Sequence, residues 1–296
     1  MVKKLGLFLL NSDRNAGLIA LLFNLLSLIN IPGGFIAGII VGFVTLQKGA
    51  KSGLIILAWV ALPTLSQGVL GQFGLFDLLL VRAILIWCLA LILRKQNSWG
   101  LVLECTALLG CLIVLMAHLW FSHIEAWWIK TLNEYYHLFG KDLWTLSETQ
   151  VSQIIHTLAP YATGVIVSLV LLGTVVQVLI ARGWQSVLFN FGGFKKEFIS
   201  IRMGKIAAIV MLVTLIGGLC KMAWLRDIMV VFWLPFVLGG LAFLHYWVNK
   251  HKKWMSVLIA FYVISVFLPV FSIIVLVMVG FMDSWFNFRK MKFISR

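Results

Sequence analysis

Arg82 stands inside an apolar run, with Asp77 about a turn and a half before it. A charge at the centre of a bilayer costs on the order of 2.5–3.5 kcal/mol on insertion scales, so it usually has a partner. One reading has Arg82 snorkelling outward or pairing with Asp77. The other has its planar guanidinium holding an anionic ligand group through two parallel hydrogen bonds. Under that second reading Gln67, Gln72, Asp77 and Arg82 form the candidate ligand-binding set. Glu104 and Asp283 also interrupt apolar runs, and each is expected to pair with basic residues near its end of the membrane.

The remaining reactive side chains form no catalytic pattern. His118, His123, His137, His156, His245 and His251 show neither HExxH nor HxxxD, and there is no GxSxG, Walker sequence or GxGxxG. Ser12 and Asp13 belong to no triad. Cys88, Cys105, Cys111 and Cys220 fall within apolar segments and form no CxxC, so they read as buried small hydrophobes. The expectation is a chain with no catalytic residue, no metal and no cofactor, and not an enzyme.

Composition says what must position these residues. The chain is 62% hydrophobic and 11% charged, with mean hydropathy +1.04. A soluble core of this size could not hide so much apolar surface, whereas lipid can. Backbone groups in lipid must bond internally, and the apolar runs are continuous rather than alternating, which selects helices over a β-barrel. The fold class expected is all-α: a polytopic transmembrane bundle of about 8–10 apolar helices, some short or broken.

The expected helices are Ala16–Ile31, ended by Pro32-Gly33-Gly34, then one to Leu46 and one over Gly53–Leu65. Gly34, Gly38 and Gly42 repeat at a spacing that lets a neighbouring backbone approach, within the chain or at a subunit interface. Phe76–Leu93, Trp99–Phe121, Tyr161–Ala181, Ile206–Trp224 and Ile228–Val248 follow. The apolar block Trp254–Phe286 has Pro269 near its middle, and a cytoplasmic basic loop is expected over about 182–205. The whole is one integral membrane domain, 1–296. The N-terminal apolar stretch is too short for a signal sequence and is expected to be retained.

The net charge of +14 does not point to nucleic acid, because Lys and Arg cluster at segment ends. All the basic residues except Arg82, Lys130, Lys141, Lys221 and Arg226 fall on one side. Asp77, Glu125, Glu134, Asp142, Glu148 and Asp227 fall on the other. The positive-inside rule makes the basic side cytoplasmic in a bacterial inner membrane, with both termini inside. Parity then requires Trp254–Phe286 to be two elements broken at Pro269, either a hairpin or a re-entrant element followed by a span.

An extracytoplasmic insertion occupies about 122–160. Ile124, Trp127, Trp128, Leu132, Tyr135, Tyr136 and Leu138 recur at helical spacing up to Gly140. Ser147-Glu-Thr-Gln150 then carries a capping-box signature. A Trp- and Tyr-rich amphipathic helix suits the headgroup layer, and it could also cover an outward-facing pocket.

Three stretches carry a family resemblance. Thr45-Leu-Gln-Lys-Gly-Ala-Lys-Ser-Gly53 is similar to a basic, glycine-containing turn of the YybS-like bacterial membrane proteins. The closing stretch with Gly280, Asp283, Trp285 and Arg289 resembles that family's end motif, and Phe198-Ile-Ser-Ile-Arg202 its cytoplasmic loop. The resemblance implies a helical layout similar to substrate-binding S components of energy-coupling-factor transporters and to the shape-determining protein MreD. It brings no assigned activity and no ligand residues, and this chain departs from it in a longer insertion and extra C-terminal helices. Within a continuous helix Asp283 and Arg289, six positions apart, would not meet. Asp283 is then expected to bond a neighbouring helix or loop, and Arg289 to meet lipid headgroups.

Two functions follow as expectations. The first is a substrate-capture part of a small-molecule transporter, energised by an ABC-type ATPase and a membrane coupling protein. The alternative is a non-enzymatic scaffold for envelope synthesis or cell shape, binding envelope-synthesis proteins. Membrane lipid is a partner in both.

Overall fold

The computed structural model describes residues 2–27, 32–69, 75–140, 147–219 and 222–290. Side chains are described for all of these but 2, 64, 66–69, 75–77 and 139. In chain order the first helices are α1 (Val2–Asn11), α2 (Asp13–Leu26), α3 (Gly33–Lys48), α4 (Ala50–Val69), α5 (Leu75–Gln96) and α6 (Trp99–Trp120). They are followed by α7 (Ile124–Tyr135), α8 (Glu148–Leu158), α9 (Ala162–Phe189) and α10 (Gly193–Ser200). The last are α11 (Lys205–Leu219), α12 (Ala223–Lys250), α13 (Met255–Phe267) and α14 (Pro269–Phe286). No strand occurs among the described residues, and the protein is an all-α polytopic helical bundle.

By length and composition, four described stretches can each cross a bilayer: α6, the run Glu148–Phe189 that ends in α9, α12 and α14. Taken together, α10 and α11 make a fifth, and α3 and Ala50–Pro63 of α4 are shorter apolar helices. Over the described residues the apolar segments expected from sequence are helical, but only some have full spanning length, and 28–31 and 220–221 of the expected helices lie outside the described residues. Contacts cluster in two units, Met1–Leu103 with Val170–Ile201, and Glu104–Leu169 with Arg202–Arg296.

In the first unit α3 is the core helix, buried almost continuously from Ala37 to Leu46 and packed on α2, α4 and α5. A helix apolar on every face belongs inside. Asn24 of α2, fully buried, satisfies its amide N–H on the Val60 carbonyl of α4 at 3.0 Å. Arg94 at the end of α5 donates to the Leu46 carbonyl at 2.7 Å, where the last carbonyls of α3 lack helical partners. Phe43 stacks on Trp184 with ring centroids 4.7 Å apart.

Two features here depart from the sequence reading. The stretch 2–11 is helical, with Leu5, Leu7 and Phe8 exposed on an amphipathic α1. The expected basic loop at 182–205 is largely helix, because α9 continues past Ala181 to Phe189 and α10 follows. Its polar side chains are matched locally: Arg182 bonds Glu197 at 2.7 Å and Asn97 at 3.1 Å, and Gln185 bonds Gln47 at 2.7 Å.

In the second unit α12 packs most extensively on α14. Gly240 and Gly280 set that crossing. A Cβ on Gly240 would fall 2.1 Å from the Leu276 carbonyl oxygen, and one on Gly280 would fall 2.2 Å from that of Phe236. Only hydrogen at these positions lets the backbones touch. The block from Trp254 breaks at Leu268, with Pro269 opening α14. Trp254, Val257 and Phe261 share a groove with Met282, Val279 and Val275. Residues from both sides of the break line one groove, so the two segments fold back on each other.

The capping box at Ser147 is present: the Gln150 amide N–H donates to Ser147 Oγ at 3.3 Å, and the Ser147 N–H donates to Gln150 Oε1 at 3.0 Å. No residue of α7 is buried, and Trp127 and Tyr135 are exposed. A π-turn over Tyr136–Gly140 ends it. Two bonds tie α7 down, Trp128 Nε1–H to Thr163 Oγ1 at 2.8 Å and Arg226 to Glu125 at 3.3 Å.

Candidate functional site

Within the first unit, α5 presents Arg82 to α9. Its Nη2 donates to Gln177 Oε1 at 2.9 Å, and Gln177 Nε2 donates to the Phe35 carbonyl of α3 at 2.8 Å. Gln177 is 1% exposed, so the relay is internal. Two glycines make room for it. A Cβ on Gly38 would fall 2.3 Å from Gln177 Nε2, and one on Gly173 would fall 2.7 Å from Arg82 Nη2. Arg82 Nε is buried and meets no acceptor among the described residues. A buried guanidinium donor without an acceptor is costly, and such groups are rare enough to need a reason.

Gln72 lies outside the described residues. Gln67 and Asp77 lie on α4 and α5, but their side chains are outside the described ones. Gly34, Gly38 and Gly42 form one face of α3, turned to Leu79, Ile86, Gln177 and Ala181. Gln177 escaped the sequence reading; a lone amide inside an apolar run, facing a glycine helix, was the available signal.

At the end of the second unit Asp283 is 1% exposed and accepts from Arg289 Nε at 2.8 Å. This corrects the expectation for Arg289. The helix does not continue: it ends at Phe286, and Asn287 takes the left-handed conformation (φ 48°, ψ 55°), turning the chain back. Arg202 donates to the Asp283 and Ser284 carbonyls, both at 2.9 Å, capping α14 from the loop before α11. Tyr246 O–H donates to the Arg289 carbonyl at 3.0 Å, and the guanidinium lies over the Tyr246 ring at 5.5 Å. Trp285 packs its ring edge against Phe281. The motif is a lock on the last helix.

A third node was not foreseen. Asp227, 2% exposed in the first turns of α12, lies 2.7 Å from His118 Nε2 and accepts the Gly164 backbone N–H at 2.7 Å. The carboxylate thus accepts a backbone donor near the start of α9. Gly164 is required there, since a Cβ would fall 2.4 Å from the Asp227 carbonyl oxygen. Glu104 makes no ion pair among the described residues. It lines a cavity of about 280 Å³ with Lys205, Met203 and Pro235, where the chain between α10 and α11 is not helical.

No group of three His, Cys, Asp or Glu side chains suited to a metal exists among the described residues. Fold and helices together define a multi-pass membrane-spanning protein. No family model, curated protein or solved structure matches the chain.

Proposed function

We propose that this is a non-enzymatic, multi-pass protein of the bacterial inner membrane that captures a small anionic substrate for a transporter energised by an ABC-type ATPase and a coupling protein. The observation that carries the reading is Arg82, held on one side by Gln177 while its buried Nε–H has no acceptor among the described residues. A ligand carboxylate or phosphate would supply that acceptor and gain a charge-assisted bond in a dry site. The basic side, with both termini, is cytoplasmic by the positive-inside rule. The resemblance to YybS-like proteins, with their S-component-like layout, belongs to the same proposal.

A scaffold for envelope synthesis or cell shape needs an exposed small-residue stripe on α3, yet Gly38 and Gly42 are buried against α5 and α9. The test is purification of a tagged form in mild detergent with identification of co-purifying proteins. An ABC-type ATPase pair with a coupling protein is the expected result. Cell-wall or shape-determining proteins without an ATPase would overturn it.

A further inference from the structure

Within the second unit lies a groove of about 490 Å³ inside the C-terminal hairpin, and none of the buried polar nodes lines it. One wall is α13, another is α14, and Phe243 and Trp247 of α12 form the floor. Every lining residue is apolar or aromatic. On the α13 side the lining runs from Trp254, just before α13, to Phe261, roughly 10 Å at 1.5 Å per residue. Of α13 only Leu258 is buried, so this wall faces lipid and the groove is reached from the hydrocarbon.

One end of the groove is chemically distinct. It is bounded by Trp247, Trp254 and Phe288, and the chain next to these residues is basic. Lys250, Lys252, Lys253 and Lys290 are exposed there and make no ion pair among the described residues. Asp283 is the sole acidic residue in 243–261 and 275–290, and it is buried on Arg289. An apolar slot open to lipid, ending in aromatic rings and unopposed lysines, matches a molecule with an apolar chain and an anionic head.

We propose that this hairpin binds one anionic glycerophospholipid, with an acyl chain along the groove and its phosphate at Lys252, Lys253 and Lys290. The site is separate from Arg82 and does not depend on the transport reading. It makes the last two helices a lipid-dependent element, since an acyl chain supplies the packing that α13 lacks against α12 and α14.

The experiment places the full-length protein in bilayers of equal phosphatidylcholine and phosphatidylglycerol. The protein is then released into detergent, and retained lipids are counted by native mass spectrometry. One retained phosphatidylglycerol per chain is expected. Retention should fall roughly fivefold for each lysine neutralised in the series Lys252→Gln, Lys253→Gln, Lys290→Gln. Val279→Trp, which fills the groove and leaves the charges, should abolish retention. Equal retention of the two lipids, or retention that survives both kinds of variant, overturns the proposal and leaves the groove to an apolar helix of another protein.

Discussion

Arg289 donates to the Asp283 carboxylate at 2.8 Å because the chain reverses at Asn287 between them. The pair closes the end of α14 onto α12, whose Tyr246 receives the returning chain. Local backbone geometry, rather than helical spacing, brings the two charges together.

Asp283→Ala takes the carboxylate away from the Arg289 guanidinium in a buried site. The loss expected is ~3–5 kcal/mol of stability, as for other broken buried pairs. The double variant Asp283→Leu with Arg289→Met removes both charges and should recover most of it. Thermal unfolding in detergent checks both; equal losses in the two variants would mean that the stability lies in the pair itself and not in relief of a stranded charge.

At the crossing of α12 and α14, Gly240→Ala and Gly280→Ala drive a methyl group into a carbonyl oxygen. Each should cost about 1–3 kcal/mol through forced separation of the helices. Gly239→Ala is the control, since a Cβ there meets nothing nearer than Met203 at 3.8 Å. Unfolding midpoints of the three proteins, measured side by side, should show two losses and one unchanged value.

Asp227→Leu leaves the Gly164 N–H and the His118 ring without their acceptor. About 1–3 kcal/mol is expected for each stranded group. Asp227→Asn keeps an oxygen for Gly164 and should lose less. Hydrogen exchange of the Gly164 amide reports the difference directly: fast in the Leu variant, slow in the Asn variant.

Ser147→Ala removes one half of the capping box on α8 and should cost ~1 kcal/mol. The effect is local. Peptide-level hydrogen exchange should quicken across Glu148–Leu158, with little change in α12 or α14.

The helices were legible because lipid demands continuous apolar runs, and the ends were marked by Pro32, Pro269 and the lysine clusters. The capping box was legible because it lies within four residues, with the Ser147 and Gln150 side chains each bonding a backbone N–H of the other. What escaped was long-range or locally disguised. His118 and Asp227 are 109 positions apart, and each taken singly looks like a polar residue at a membrane edge. Gln177 meets Arg82 across 95 positions, with no periodicity linking them. Arg289 was misplaced by extending the helix through Asn287, although asparagine is a residue that accepts the left-handed turn. The amphipathic α1 was passed over because its apolar face is too short to resemble a span.

The central claim is that Arg82 is kept for a ligand rather than for the fold, and one measurement separates the two. The double variant Arg82→Met with Gln177→Met removes the charge, its unpaired Nε–H and the buried amide oxygen that loss of Arg82 alone would leave without a donor. A residue held for binding is carried at a cost to stability, so the thermal midpoint of the purified variant should equal or exceed that of the parent. A drop equivalent to more than about 2 kcal/mol, the size expected for loss of a structural charged hydrogen bond, would show that Arg82 braces the helices and would contradict the account.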